Sequence, residues 1–418
     1  MSMVSKSLRA EKSKSRKISC GLSVGVREAR VECRSGEFGP NASRSLGTVP
    51  RGDDDMSADN RFFYVTSYAS DGGDMLRCFR FDGDRGSIEL LGSVSSPLSR
   101  SFYLAPDRAG RYLFVTDDLE QCDGVPGGAV CAFAIDAATG MPAYLNRQSS
   151  GGECPCYIDT SANGRFATVA NYTSGTLAVL PVGADGRLGA PKTTIRLEGS
   201  SVDKSRQEAP HAHSFMFDPA GRFALAGDLG TDRVMIYRFD ADTGSVPPAG
   251  VPCFETQPGA GPRHLTFSGD GRFVWMICEL DNTVIGARYD AERGGMERIE
   301  AVSALPDGFA ETSYCADVHV HPSGRFLYGS NRGHESIVAF AINPDSGALS
   351  LVGHESTQGA FPRDFIIDPS GSFLLVANEH THTIVSYRID QDTGALTPTG
   401  DVAEVPSPTC CAFGNITA

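Results

Sequence analysis

Polar and apolar positions alternate along this chain in short apolar runs broken by Gly-containing polar turns. One turn recurs: Pro106-Asp107-Arg108-Ala109-Gly110-Arg111-Tyr112, then Ser161-Ala162-Asn163-Gly164-Arg165-Phe166, Pro219-Ala220-Gly221-Arg222-Phe223, Gly269-Asp270-Gly271-Arg272-Phe273, Pro322-Ser323-Gly324-Arg325-Phe326 and Pro369-Ser370-Gly371-Ser372-Phe373. Apolar runs flank each copy, and Gly supplies the positive φ that a tight hairpin requires. A third run follows each hairpin: Met75–Phe81, Ala129–Ile135, Thr176–Val182, Arg233–Phe239, Thr283–Tyr289, Ser336–Ile342 and Thr383–Ile389. A second turn, such as Asp242-Thr243-Gly244 or Asp392-Thr393-Gly394, then leads into a weaker fourth run. The unit is four antiparallel strands, the size of one propeller blade, and its recurrence marks a repeat architecture.

Third strands number seven and complete inner hairpins six. The chain ends account for the difference. Phe62–Tyr68 reads as a second strand with no first strand before it, and Pro408–Phe413 reads as a first strand matching Pro362–Phe365. The expected fold is therefore all-β: a seven-bladed β-propeller with four antiparallel strands per blade, closed by the C-terminal strand completing the N-terminal blade. Closure leaves only short, protected edges.

Charge is unevenly distributed. Residues 1–52 hold 11 Lys or Arg and 4 Glu, leaving 26 of the 37 basic and 47 of the 51 acidic residues, a net charge of −21, for the rest of the chain. An acidic body argues against nucleic acid as a partner. With no apolar run of about 18 residues, no membrane span is expected. Residues 1–55 are expected to be a disordered basic tail, read either as a targeting segment or as the product of a start placed upstream of the natural one at Met56. Residues 56–418 are expected to form the propeller. The 12 Cys show no zinc spacing and suit buried thiols of a reducing, cytoplasmic compartment.

The hairpin Gly also serves as a ruler. Eight residues before it stand Phe102, Cys156, His213, Arg263, Ala316 and Arg363, with Thr409 from the closing strand. Eight after it stand Asp118, Tyr172, Leu229, Glu279, Arg332 and Glu379, with Tyr68 from the first strand. The two sets are expected to face each other at one mouth of the channel. Position seven adds Asp117, Asn171, Asp228, Asn331 and Asn378. Converging Arg side chains present planar forks for carboxylate or phosphate, so a small anionic ligand is expected. The plainer reading is a wet channel lined by paired charges.

Several motifs resemble the lactonase family of seven-bladed propellers: Pro210-His211-Ala212-His213, Gly261-Pro262-Arg263-His264, Glu279-Leu280, Asn331-Arg332-Gly333, Phe361-Pro362-Arg363, Asp228-Leu229-Gly230 and Asn171-Tyr172. The family includes propeller-type 6-phosphogluconolactonases and 3-carboxy-cis,cis-muconate lactonizing enzymes. The resemblance implies a metal-independent lactone hydrolase needing no cofactor, with muconate cyclisation as the alternative and a non-enzymatic scaffold as a third reading. It implies catalytic roles for His211 or His213, Arg263, Glu279 and Arg332. Arg363, Asn331, Asp228, Tyr172 and Glu379 are the expected substrate contacts. Asp317 is expected to orient Arg332 or to support the core. The expected partner is a small anionic lactone, bound by a monomer or weak homo-oligomer.

Overall fold

The computed structural model of the protein describes residues 60–68 and 74–414. The expectations for residues 1–55 and for Met56 lie outside them. Among the described residues there are seven four-stranded antiparallel sheets and one two-stranded hairpin, Gln121–Cys122 with Val125–Pro126. The first blade takes its inner strand from Pro408–Phe413 and its other three from Asn60–Ser67, Leu76–Asp82 and Ser87–Ser93. The other six each run inner to outer in chain order, as in Pro262–Phe267, Phe273–Cys278, Thr283–Asp290 and Gly295–Ser303 of the fifth. Antiparallel pairing of Val65 with Cys411 and Phe63 with Phe413 closes the ring as the sequence predicts.

The core lies between blades. Seven clusters of buried side chains each join two neighbouring blades. At the closure, Phe63, Val65, Phe79 and Phe81 of the first blade pack with Phe373, Leu375 and Ala377 of the seventh and with Cys411 and Phe413. Alternation along each second strand gives both faces an apolar neighbour, so these strands are largely buried; every residue of Phe273–Cys278 is buried. The outermost strands are mostly half-buried or exposed, as in Leu396–Glu404, where only Leu396 is buried.

The two turn motifs meet at every blade interface. The Gly of each outer turn sits against the aromatic ring that opens the second strand of the preceding blade. At the closure this is Gly86 on Phe373, where an added Cβ would lie 2.3 Å from the ring. Neighbouring groups reinforce the contact: Tyr64 donates its hydroxyl proton to Gly140 O at 2.9 Å, and Trp275 Nε1–H donates to Gly347 O at 3.1 Å. The repeated Phe of Gly-Arg-Phe and the repeated Gly of the outer turn are two halves of one inter-blade joint.

Candidate active site at the channel mouth

Inner strands begin, and second strands end, at the same mouth of the ring. In the fifth blade, Gly259 and Gly261 adopt positive φ and turn the chain into the inner strand. There Pro262 pairs with Cys278 and His264 with Ile277, which leaves Arg263 unpaired on a bulge. The same irregularity releases Cys156, Arg363 and Thr409 in their blades. The symmetric facing expected from the ruler is corrected accordingly: Glu279 N–H donates to Gly261 O at 2.8 Å, so position eight after the turn pairs with position ten before it. A bulge re-aims a side chain that the ladder would otherwise hold in register. Here it turns Arg263 onto Glu279.

Glu279 is the centre of the site. Its Oε2 lies 3.1 Å from Arg263 Nε and 2.8 Å from Arg332 Nη2, while its Oε1 meets Arg206 Nη2. Burial alone would raise this carboxyl; Arg332, Arg263 and Arg206 outweigh it and hold the group well below the usual carboxylate range. Glu279 is thus ionised and cannot serve as a proton-donating acid. Arg263 is 2% exposed, and burial together with Arg332 pulls it down to about 10, so it stays cationic at neutral pH. Backbone oxygens fix the guanidinium groups: Arg263 Nη1 donates to Ala316 O at 2.5 Å, and Arg332 donates from Nε to Tyr314 O at 3.2 Å and from Nη2 to Cys315 O at 2.7 Å. On the seventh blade, Arg363 pairs with Glu379 at 3.3 Å and lies over the Phe102 ring at 5.2 Å.

The two candidate histidines differ in their surroundings. His211 stacks on Tyr172 with ring centres 4.5 Å apart, and its Nδ1 and Nε2 face Tyr172 O at 3.1 Å and Glu208 Oε1 at 3.2 Å. His213 is buried, with Nδ1 3.8 Å from Cys156 Sγ, and among the described residues no hydrogen bond reaches its Nε2. Burial, with Arg263 and His264 nearby, pushes His213 well below its ordinary value and keeps it neutral.

Position seven after the turn is structural. Asn331 Nδ2 donates to Ala304 O at 2.9 Å, and Asn171 and Asn378 make the equivalent bonds to Ser150 O at 3.0 Å and Thr357 O at 2.9 Å. Each ties a strand end to the connection from the preceding blade. Asp228 accepts from His211 N at 2.7 Å, Gly230 N at 3.1 Å and Thr231 Oγ1 at 2.6 Å, and is 1% exposed. Asn331 and Asp228, expected as substrate contacts, have their polar groups committed to the loops that carry the site. Asp317 likewise does not bond Arg332; it joins His264 at 2.7 Å and His319 at 2.8 Å.

Sequence reasoning missed two residues. His264 was visible in Gly-Pro-Arg-His but fell outside the ruler; its Nε2 lies 3.3 Å from Arg263 Nη1. Arg206 lies on the connection between the third and fourth blades, where the repeat offers no register. Only its spacing before Pro210-His211 could have marked it.

Residues 62–413 match the family described as Lactonase, 7-bladed beta-propeller. The chain is 35% identical over 303 residues to the 6-phosphogluconolactonase of Bacillus subtilis, covering 72% of this chain and 84% of that one. It is 34% identical over 285 residues to the 6-phosphogluconolactonase of Pectobacterium carotovorum, covering 68% and 78%. The solved structure of the periplasmic gluconolactonase of Pseudomonas aeruginosa superposes with a TM-score of 0.78 at 30% identity, covering 85% of this chain and 99% of that one. Ring, motifs and matches agree, and this chain belongs to the lactonase family of seven-bladed β-propellers.

Proposed function

We propose that this chain hydrolyses 6-phospho-D-glucono-1,5-lactone to 6-phosphogluconate, serving the pentose phosphate pathway in the cytoplasm. One observation carries the reading. Arg206, Arg263 and Arg332 share the one carboxylate of Glu279, and Arg363 pairs with Glu379, so that four guanidinium groups meet two carboxylates in these ion pairs of an otherwise acidic protein. Such a surplus, half-desolvated and held by backbone carbonyls, suits a small anion whose reacting carbonyl becomes an oxyanion. The names of the relatives favour the phosphorylated lactone among such anions.

The chemistry follows from the protonation states. A water attacks C1 of the lactone while neutral His213 takes its proton on Nε2. Arg263 and Arg332 stabilise the oxyanion. When the C1–O5 bond breaks, the His213 imidazolium returns the proton to O5, giving the open-chain hydroxy acid. Glu279 keeps both guanidinium groups in place. Free His213 Nε2 and the engaged nitrogens of His211 favour His213 as the base, with His211 holding the wall formed by Tyr172.

The test is hydrolysis of freshly made 6-phosphogluconolactone by purified protein, measured above the spontaneous rate in buffer. The expected result is saturable acceleration. A rate equal to buffer overturns the proposal, and turnover of 3-carboxy-cis,cis-muconate alone would favour the cyclising alternative.

A further inference from the structure

Arg206 differs from the other cations of the site in origin and in exposure. It comes from the connection at residues 197–210, which belongs to no blade. Its side chain remains 32% exposed, against 2% for Arg263, 7% for Arg332 and 18% for Arg363. Nη2 alone makes its side-chain contacts, to Glu279 and to Tyr172 Oη at 3.4 Å. Among the described residues no hydrogen bond is made by Nε or Nη1. Its guanidinium carbon Cζ lies over the Tyr314 ring, 5.5 Å from the ring centre.

The segment that carries it is firmly anchored. Gln207 is fully buried, and its Nε2 donates to Leu229 O at 2.9 Å and to Asp232 Oδ1 at 2.8 Å. Asp232 also accepts from Ser201 Oγ at 2.5 Å, Gly259 N at 2.7 Å and Gly261 N at 2.8 Å. One carboxylate therefore fixes both the Arg206 connection and the turn that presents Arg263. The rim cation and the deep cation are held at a set separation, although they come from different parts of the chain.

The geometry points to Arg206 as the residue that recognises the substrate's phosphate and sets preference for phosphorylated over unphosphorylated δ-lactones. This deepens the lactonase reading and rests on it. The partly exposed guanidinium keeps its Nε and Nη1 donors for phosphate oxygens, whereas Arg263 and Arg332 lie deeper, held by Glu279 and backbone carbonyls where the lactone carbonyl reacts. The arrangement orients the substrate: lactone carbonyl inward at His213 and Arg263, phosphate outward at the rim.

The experiment compares kcat/KM for 6-phosphogluconolactone and glucono-1,5-lactone in wild type, Arg206→Gln and Arg206→Lys. Losing a charge-assisted bond is expected to lower the phosphorylated-to-unphosphorylated ratio about 10- to 100-fold in Arg206→Gln, with Arg206→Lys between. An unchanged ratio overturns the assignment while leaving lactonase activity intact. Calorimetric binding of 6-phosphogluconate against gluconate separates the two failures. If wild type turns over neither lactone, the proposed reaction falls, and Arg206 stands only if the Gln variant weakens 6-phosphogluconate by the same factor. Equal binding of 6-phosphogluconate by both proteins overturns it.

Discussion

His264 Nδ1 lies 2.7 Å from Asp317 Oδ1, and on the opposite edge of the same ring Nε2 lies 3.3 Å from Arg263 Nη1. A carboxylate only accepts and a guanidinium only donates, so the pair dictates one tautomer: proton on Nδ1, lone pair on Nε2. Asp317 thereby helps hold Arg263 against Glu279 without reaching either. Asp317→Asn can offer an amide N–H to Nδ1 and release the opposite tautomer. We expect kcat to fall about 10- to 100-fold, as misplacement of a positioned group does, with KM little changed. Steady-state kinetics of a variant with a native unfolding midpoint check this; an unchanged kcat removes the positioning role.

The same ring makes stability depend on pH. Burial and Arg263 pull His264 down to about 4 from its ordinary 6.5, so between those values the unfolded chain binds the proton more readily. Stability from this group is present above pH 6.5 and is lost as pH falls toward 4. Asp364, which burial and Asp317 keep protonated well above its ordinary range, opposes it by losing stability as pH rises. Asp317, His319 and His213 also face the cluster, so the contribution must be read as a difference. Relative to His264→Gln, wild type should lose about 2 kcal/mol between pH 7 and pH 4.5. Urea unfolding of both proteins at the two pH values measures it, and parallel losses would refute it.

Gly86 meets Phe373 at the seam of the ring, with φ of 76° and no room for a Cβ. Gly86→Ala therefore combines a left-handed backbone with overpacking, and should cost about 2–4 kcal/mol. In Gly86→Ala/Phe373→Leu the steric part should be relieved and the two effects should be less than additive. Full additivity in denaturant titrations would show that the contact does not carry the cost.

The fold was legible because its joint is written twice per blade, once as Gly-Arg-Phe and once as the outer-turn Gly, with strand-length apolar runs between them. Even the closing strand Pro408–Phe413 has the predicted bounds. His213, Arg263, Glu279 and Arg332 were legible because they occupy equivalent steps of the repeat. Arg206 was not, because a connection outside the ladder has no register to count. The bulge at Arg263 was hidden for a related reason: one extra residue changes pairing without disturbing the apolar pattern. Asn331 was expected at the substrate because a polar residue beside a channel resembles a ligand contact; its bonds to Ala304 O and Ser336 Oγ, which the sequence does not reveal, point to a loop-holding role.

Asn331→Ala should therefore act on folding. It leaves Ala304 O and Ser336 Oγ without their buried Asn donor. A loss of about 1–3 kcal/mol is expected, with KM for the lactone unchanged in the folded fraction. A raised KM at native stability would return Asn331 to the binding surface.

His213 provides the sharpest reading of mechanism. Its Nε2 has no bond to any described residue, whereas His211 has both nitrogens engaged. If His213 takes the proton from water, His213→Gln should lower kcat about 10²- to 10⁴-fold, while His211→Gln should have the smaller effect. The pH profile gives an independent check. The base must be neutral, and burial with Arg263 and His264 holds its proton affinity well below the ordinary 6.5. Activity should be flat from pH 8 down through 6.5 and decline only at lower pH, as the imidazolium forms in the free enzyme. Because kcat/KM reports free-enzyme groups, it is the quantity to plot, after subtracting spontaneous hydrolysis. An acid limb centred at 6.5 or above, or near-native turnover by His213→Gln, would assign the proton transfer elsewhere.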